Sequence, residues 1–390
     1  MEDKSLHLLI IFRSMKLSQL LIRENFYNIL SKTINSNSFF KDNFDEKNVF
    51  FNCFKHLNII LNKSLNDNVK DTLVFEYSLS KSFFKQFLQN IYIKIIFLPI
   101  IRNFFSDKRI MLPSHIKNYG VVPGNHRIRL FESSLKEIIV LLKNNESAKF
   151  IKNDIDSRFN NSLSYTPKIL SFGSDWLIEE FIKGVPFNRV KNNKSIKALE
   201  ILISLHTKEL IDKNKENISI DKYLNKCKKE LYLLVEIIEE NNPIKKEILS
   251  GLENLLSNIL SHNIIEIETS TTHGDFQEGN IRINSKNELY VLDWESADNR
   301  FYLYDVFVML SSVRTGIGLE KAFELFFQKV DEYQIKIDRY SKTSLIMLLC
   351  FEELRFHFNE DISSNFLSPG VNSKKTLNKI STFLDSVKIK

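Results

Sequence analysis

The feature that most constrains the fold is a change of hydrophobic period near residues 184–186, Gly-Val-Pro. Residues 127–131 alternate polar and apolar side chains, with Ile128 and Leu130 on one face, which is typical of a β-strand. Beyond residue 186, apolar residues recur at the three- and four-residue spacing of a helix: Ile196, Leu199, Leu202, Ile203 and His206. The chain is therefore predicted to be α+β, with strands before this point and mainly helices after it.

The stretch before this point contains the elements of a small mixed lobe. Residues 127–131 and 137–142 are two β-rich runs joined by a short polar turn, which predicts a hairpin. The further predicted elements are a helix at about 148–159 and strands at 167–170 and 176–178. The order strand, strand, helix, strand, strand predicts one compact β-rich unit.

These patterns divide the chain into three predicted parts. Residues 1–112 alternate apolar clusters with polar stretches, carry no chemical motif and predict an accessory, mostly helical region. Residues 113–182 form the predicted β-rich lobe, and residues 183–390 form a predicted helical lobe with a strand-loop-strand insert at about 281–293. The low content of Gly (10) and Pro (7) favours helices over a Gly-rich β-sandwich.

Charge and cysteine content exclude several classes of function. The net charge of +6 comes from scattered residues without an Arg-rich arm, so no nucleic-acid partner is indicated. The cysteines are far apart and form no CxxC pair, which predicts buried apolar side chains in a reducing, cytoplasmic compartment: Cys53, Cys227 and Cys350. The apolar run 91–101 contains Lys94 and Pro99 and is too short to cross a bilayer, so no integral membrane segment is expected. Peripheral membrane contact stays an alternative for this run.

The chemistry is concentrated in the segment Thr272 to Asn280, which reads THGDFQEGN, and in the sequence LDWE that ends at Glu295. Phosphoryl transfer requires a carboxylate that orients the attacking hydroxyl, and oxygen ligands that hold Mg²⁺ against the phosphates. Asp275 fits the catalytic role, while Asn280 and Asp293, thirteen positions apart, fit the metal-binding role.

The sequence HGDFQEGN followed by LDWE resembles the catalytic and metal-binding motifs of the aminoglycoside phosphotransferase and choline kinase families, which share the protein-kinase fold. The matching features extend from about residue 121 to 310. The resemblance implies a bilobal α+β fold, ATP and Mg²⁺ as cofactors, and a small-molecule hydroxyl acceptor.

The resemblance also implies a set of nucleotide-binding residues. Gly124 and Asn125 match the glycine-containing phosphate loop, and Lys143, at a strand end, matches the lysine that contacts the α- and β-phosphates. Glu180 lies in the segment that resembles the adenine-binding hinge. Asp154 stands where the family has a glutamate that pairs with this lysine. The alternatives are Glu146, Asp156, or a plain solvated role for Asp154.

Several neighbouring residues have structural interpretations. His273 is expected to hydrogen-bond within its loop, and His206 to be a core histidine. Asp305, in the Tyr-Asp-Val segment that resembles the family's Tyr-Asp-Leu, is expected to brace the catalytic loop. Trp294 is expected to pack in the core beside Asp293.

The acceptor is less constrained than the reaction. The loop combines features of both families, and a sugar or an amino alcohol is the predicted acceptor class. A cationic acceptor would need acidic or aromatic walls, for which the candidates are Glu236, Glu239, Glu240, Glu352, Glu353 and Phe356. A nucleotide-binding pseudokinase and a protein kinase stay alternatives, and the sequence leaves the oligomeric state open.

Overall fold

The computed structural model describes residues 30, 33–34, 36–43, 47–54, 59–62, 83–98, 102–124, 127–132, 136–142, 148–189, 193–238, 240, 242–262, 264–363 and 370–387. The chain divides into two compact units. Unit 1 comprises Met1–Lys152 and Pro167–Val185, and unit 2 comprises Asn153–Thr166 and Pro186–Lys390. Unit 1 is dominated by a β-sheet and unit 2 by helices, so the predicted α+β class is confirmed.

Unit 1 is built on an eight-stranded sheet in which every neighbouring pair is antiparallel. The strands are β1 (Asn48–Phe54), β2 (Ile59–Asn62), β3 (Lys108–Pro113), β4 (Tyr119–Pro123), β5 (Arg127–Glu132), β6 (Glu137–Leu142), β7 (Ile169–Phe172) and β8 (Trp176–Glu180). They lie in the order β3-β1-β2-β4-β5-β6-β8-β7. Helices α1 (Phe83–Ile96) and α2 (Arg102–Phe105) belong to this unit, and α3 (Ala148–Arg158) contributes residues to both units.

The predicted hairpin is confirmed as β5 and β6, whose register places Leu130 opposite Ile139. The alternating pattern of β5 buries Ile128 and Leu130 completely, while the continuous apolar run of β6 buries its last four residues. The predicted helix and the two later strands are likewise present as α3, β7 and β8. The predicted order strand, strand, helix, strand, strand is therefore present as β5, β6, α3, β7 and β8.

The first 112 residues differ from the mostly helical region that we expected. Their described part also contains β1, β2 and most of β3, which extend the same sheet beyond β4. One face of this extension buries Phe51, Cys53 and Ile60 in a core that also contains Val121 and Leu130. Because these residues share one core, the expected boundary at residue 112 does not separate two packed bodies.

Unit 2 contains helices α4 (Asn193–His206), α5 (Ile220–Ile237), α6 (Pro243–Ser261), α7 (Tyr304–Ser311), α8 (Leu319–Glu332), α9 (Lys342–Ser363) and α10 (Val371–Ser386). Local sequence explains where they begin, as α6 shows. Asn242 caps α6 by accepting a hydrogen bond from the Ile244 amide at 3.0 Å. Pro243 stands in the first turn, where its missing amide proton has no cost.

Two small sets of strands in unit 2 carry the functional loops. Strands β10 (Glu216–Ser219), β11 (Glu266–Thr272) and β14 (Asp298–Phe301) pair in the order β10-β11-β14, and β12 (Ile281–Ile283) pairs with β13 (Leu289–Val291). A two-residue strand, β9 (Val185–Pro186), precedes them. The THGDFQEGN segment leaves the end of β11 and enters β12, so these strands fix both of its ends.

The cysteines are buried, as their interpretation as small apolar side chains requires. Among the helices of the described ranges, none combines the length and hydropathy that crossing a bilayer demands.

Candidate active site

Asp305 anchors the start of the candidate catalytic loop. Its carboxylate accepts hydrogen bonds from the backbone amides of His273, at 2.6 Å, and Gly274, at 2.8 Å. Asp305 lies in the first turn of α7, whose residues are all buried, and is itself 0% exposed. The predicted bracing role of Asp305 is therefore confirmed.

Gly274 is required by the shape of this loop. Its φ of +82° lies in the left-handed region that residues with a side chain rarely adopt. A Cβ at this position would lie 2.3 Å from the Ser296 carbonyl oxygen and 2.6 Å from Nη1 of Arg300. The loop can turn toward Asp275 in this way only with glycine at position 274.

His206 supports Asp305 from α4. Its Nε2 lies 2.8 Å from Asp305 Oδ2, and its Nδ1 lies 3.0 Å from the hydroxyl of Tyr165. The His206 ring stacks on Phe276 with 4.1 Å between ring centroids, so it also supports the loop by packing. Burial alone would raise the pKa of Asp305, but the hydrogen bonds from the His206 ring and the His273 backbone amide hold this pKa below its ordinary value. His206 is completely buried, as expected of a core histidine.

His273 is fully engaged within the loop. Its Nε2 lies 2.9 Å from the Leu292 carbonyl oxygen, and its Nδ1 accepts the Asp275 amide at 3.2 Å. Burial lowers the pKa of His273, which favours the neutral ring that these two contacts require. The expected hydrogen-bonding role of His273 is therefore confirmed.

The Asp275 side chain is held on both of its oxygens. Oδ2 accepts hydrogen bonds from Nε2 of Gln277 at 2.8 Å and from Nδ2 of Asn280 at 2.9 Å. Nδ2 of Asn280 also donates to the Asp275 backbone carbonyl at 2.9 Å. Oδ1 accepts from Nε of Arg314 at 3.1 Å. These contacts fix the carboxylate plane before any substrate binds, which is the condition for orienting a hydroxyl.

Asn280 and Asp293 lie at the same end of the β12–β13 hairpin. The register pairs Ile281 with Val291, and the Leu292 amide donates to the Asn280 carbonyl at 2.8 Å. Asp293 follows directly, in a left-handed conformation with φ 69° and ψ 54°. Asp tolerates this region better than most residues, and the turn brings the chain round to the buried Trp294. The structure thus brings two of the predicted residues, Asp275 and Asn280, into contact, and Asp293 directly follows Leu292, whose amide is bonded to Asn280.

The side-chain oxygen types of Asn280 and Asp293 suit a magnesium ion. Both amide hydrogen bonds of Asn280 use Nδ2, and within the described ranges no group donates to its Oδ1. No group of three or more His, Cys, Asp and Glu side chains in the described part of the chain could hold a metal ion. Mg²⁺ characteristically takes one or two protein carboxylates or amides and completes its shell with water and phosphate oxygens. A pair such as Asn280 and Asp293 is therefore sufficient in number and in chemistry.

Arg314 is a site residue that sequence reasoning missed. Besides Asp275, its guanidinium contacts Glu353 and donates to the Tyr304 hydroxyl at 2.8 Å. It also lies 3.7 Å from the ring centroid of Phe356. Burial alone would lower the pKa of Arg314, but Glu353, Tyr304 and Asp275 raise it above its ordinary value. Arg314 is thus a fixed positive charge beside the candidate catalytic carboxylate.

The acidic residues that were candidates for binding a cationic acceptor differ from one another in burial and in partners. Glu352 is 0% exposed, accepts the Phe301 amide at 3.0 Å and contacts the Tyr223 hydroxyl, and burial raises its pKa. Glu353 is bound by Arg314. Glu236 is exposed, Glu240 pairs with Lys245 at 2.5 Å, and Glu239 lies outside the described residues. Phe356 is covered by the Arg314 guanidinium.

The predicted nucleotide-binding residues lie apart from this loop in the sequence. Gly124 follows β4, and its amide donates to the Arg127 carbonyl at 2.8 Å, closing the turn into β5. Glu180 ends β8, and Asn125 and Lys143 lie outside the described residues. Asp154 is 0% exposed and pairs with Arg158 at 2.5 Å, so its alternative interpretation as a solvated helix residue is wrong. The roles proposed for these residues toward ATP stay predictions.

Comparison with known protein families identifies the segment that carries the site. Residues 210–329, about a third of the chain, match the model of a phosphotransferase enzyme family. This segment contains the whole loop from His273 to Asn280, Asp293, Asp305 and Arg314. The resemblance predicted from the sequence is therefore confirmed there. No match to a curated protein was found.

Solved structures that are similar to the chain include aminoglycoside phosphotransferases and choline kinases. The gentamicin complex of the aminoglycoside phosphotransferase APH(2″)-IIa is 18% identical, with a TM-score of 0.46, over 65% of this chain and 88% of that one. Choline kinase LicA from Streptococcus pneumoniae is 12% identical, with a TM-score of 0.45, over 68% and 90%. A choline kinase from Cryptosporidium parvum Iowa II is 13% identical, with a TM-score of 0.46, over 70% and 91%.

Proposed function

We propose that this protein is an ATP- and Mg²⁺-dependent phosphotransferase that phosphorylates a hydroxyl of a small molecule in the cytoplasm, with a sugar or an amino alcohol as the acceptor. The proposal rests on the cluster of Asp275, Asn280 and Asp293 in the segment that matches the phosphotransferase family. The observation that supports it is the hydrogen bond between the Asp275 and Asn280 side chains. The amide of Leu292, the residue before Asp293, donates to the Asn280 carbonyl.

Each residue of the cluster has a distinct role in the proposed reaction. Asp275 orients the acceptor hydroxyl and takes its proton as the oxygen attacks the terminal phosphate. Gln277 and Asn280 hold Asp275 in place for this step through Oδ2. Asn280 and Asp293 would hold Mg²⁺ through their side-chain oxygens. When bound, the metal neutralises charge on the phosphate oxygens.

The proposal assigns ATP to the residues named from the family resemblance. Lys143 would contact the α- and β-phosphates, with Asp154 as its partner, and Glu180 would lie beside the adenine. Gly124 and Asn125 would lie next to the phosphates. Since the Gly124 amide already donates a hydrogen bond to the Arg127 carbonyl, other groups of this turn must provide the phosphate contacts.

The test is a phosphorylation screen against sugars, amino alcohols and aminoglycosides with ATP and Mg²⁺. We expect one acceptor class to yield a phosphorylated product with wild-type protein and none with Asp275→Asn. The matched control is Asp331→Asn, which makes the same change at an exposed aspartate of α8 and should retain full activity. If no acceptor yields a product, or if Asp275→Asn is as active as the control, the proposal is wrong.

A second candidate function is a nucleotide-binding module without catalysis. The observation that favours it is the contact between Arg314 Nε and Asp275 Oδ1, because this oxygen is then already occupied. Tight ATP binding, without phosphoryl transfer to any acceptor in the screen, would favour this function. A phosphorylated product would eliminate it.

A further inference from the structure

Helix α1 of unit 1 is apolar on the side that packs against the sheet. Ile93 and Ile96 are almost completely buried, as is Phe97 just after the helix. They form a core with Phe54 and Leu61 of strands β1 and β2. This contact accounts for one side of the helix only.

The opposite side of α1 is also apolar, although it is exposed. Five residues of α1 and Leu98, which follows the helix, are exposed here at spacings of three, four and one: Phe84 (70% exposed), Phe87 (53%), Leu88 (39%), Ile91 (40%), Ile95 (40%) and Leu98 (51%). A surface helix normally carries polar residues on the side away from its core. We call these six residues the apolar face; an exposed apolar patch of this kind marks an interaction surface.

Further exposed apolar side chains lie on the same side of the sheet. Phe50 and Met111 pair across β1 and β3, and Phe50 is four residues from Phe54, which packs under α1. Residues four apart in a strand point to the same side, so this exposed pair continues the apolar surface. Phe104 of α2, 76% exposed, adds a further aromatic ring.

The stretch that carries the apolar face contains charges of one sign only. Residues 83–105 contain Lys85, Lys94 and Arg102 and no acidic residue. Lys94 is exposed beside Ile95, and Arg109 of β3 is also exposed. Asp107, which interacts with the Tyr92 hydroxyl, follows this stretch. An exposed apolar face bordered by cations is complementary to a surface that offers both hydrocarbon and negative charge.

We propose that the apolar face binds peripherally to an anionic lipid bilayer, with α1 lying in the plane of the interface. Within the helix the face runs along the axis from Phe84 to Ile95, which spans about 17 Å at 1.5 Å per residue, and Leu98 follows it. In this orientation all six side chains can enter the boundary between headgroups and acyl chains, while Lys94 stays at the level of the phosphates. The proposal does not depend on the phosphotransferase function.

The test is co-sedimentation of the full-length protein with vesicles of phosphatidylcholine alone or of phosphatidylcholine mixed with phosphatidylserine. We expect binding to the mixed vesicles, weakened at high salt because screening reduces attraction to the anionic headgroups. The double variant Phe87→Glu/Ile91→Glu should reduce this binding at least tenfold. Lys94→Glu should weaken binding to the mixed vesicles without changing binding to phosphatidylcholine alone.

The matched control is Leu233→Glu/Ile237→Glu on helix α5 of unit 2. These residues are also four apart on a helix, with similar exposure of 54% and 50%, and the control should bind vesicles like wild type. Urea unfolding should show that both double variants fold, since all four positions are exposed. The proposal is overturned by absent vesicle binding, or by equal loss in the two double variants. The proposal is also overturned if the apolar face mediates only dimerisation. In that case the wild-type protein is a dimer that does not bind vesicles, and Phe87→Glu/Ile91→Glu makes it a monomer.

Discussion

Removal of the Asp305 side chain should destabilise unit 2 strongly. In Asp305→Ala, three donors lose their acceptor: the amides of His273 and Gly274, and Nε2 of His206. Asp305 and both histidines are 0% exposed, so water does not replace the carboxylate without rearrangement. Each buried donor left without a partner costs about 1–3 kcal/mol, which gives roughly 3–6 kcal/mol when partial relaxation is allowed. This is a large share of the roughly 5–15 kcal/mol that stabilises a typical domain.

Equilibrium urea unfolding at pH 7, followed by circular dichroism, measures this loss as a lower midpoint with an unchanged slope. Asp331→Ala, at an exposed aspartate of the same unit, serves as the control and should change the free energy of unfolding by less than about 0.5 kcal/mol. A loss below about 1 kcal/mol in Asp305→Ala would refute the argument that Asp305 anchors the loop.

Three further predictions concern the same unit. Gly274→Ala should lower the free energy of unfolding by about 2–5 kcal/mol through backbone strain and steric overlap, and an unchanged urea midpoint would contradict this. Asp293→Ala should abolish Mg²⁺-dependent turnover while the protein stays folded, whereas Trp294→Phe should mainly lower stability; near-normal turnover in Asp293→Ala would remove its metal assignment. For Glu353, burial would raise the pKa, but Arg314 holds it at about 2. A depressed carboxyl pKa stabilises the fold above the unfolded value near 4.5, so on the order of 3 kcal/mol should be lost between about pH 5 and 2. Glu353→Gln should flatten this dependence in urea unfolding, and identical pH profiles would refute the coupling.

The parts of the fold that follow local patterns were predictable from the sequence. Alternation in β5 and a short polar turn predicted the hairpin with β6, because register and burial there depend on neighbouring residues. The sequence THGDFQEGN likewise predicted a loop in which Asp275 and Asn280 approach each other, five residues apart.

Features that depend on distant contacts were not predictable in this way. Strand β1 pairs with β3, and Asn48 lies opposite Pro113 far along the chain. Short apolar runs such as that of β2 are equally compatible with a buried helix segment until their partners are known. The spacing of apolar residues in 1–112 therefore predicted helices where the structure has the strands β1, β2 and β3.

The burial of charged residues was also not predictable from the sequence. Glu352 and Glu353 are adjacent in a helix and resemble a solvated acidic pair in the sequence. Basic residues from other parts of the chain accompany each of them in the interior: Arg300 lies near Glu352, and Arg314 binds Glu353. Arg355, three residues along the same helix, also lies near Glu352. Arg314 belongs to no motif and stands 39 residues from Asp275, so no spacing rule connects the two.

We propose that Asp275 performs the chemistry while Asn280 and Asp293 bind the metal. Measuring ATP affinity and phosphoryl transfer in a single turnover on Asp275→Asn separates these roles, with the acceptor identified by the screen. We expect unchanged affinity for Mg²⁺-ATP and transfer slowed by roughly 10²–10⁴-fold, because the catalytic base is removed. Transfer at the wild-type rate would show that Asp275 is not the catalytic base.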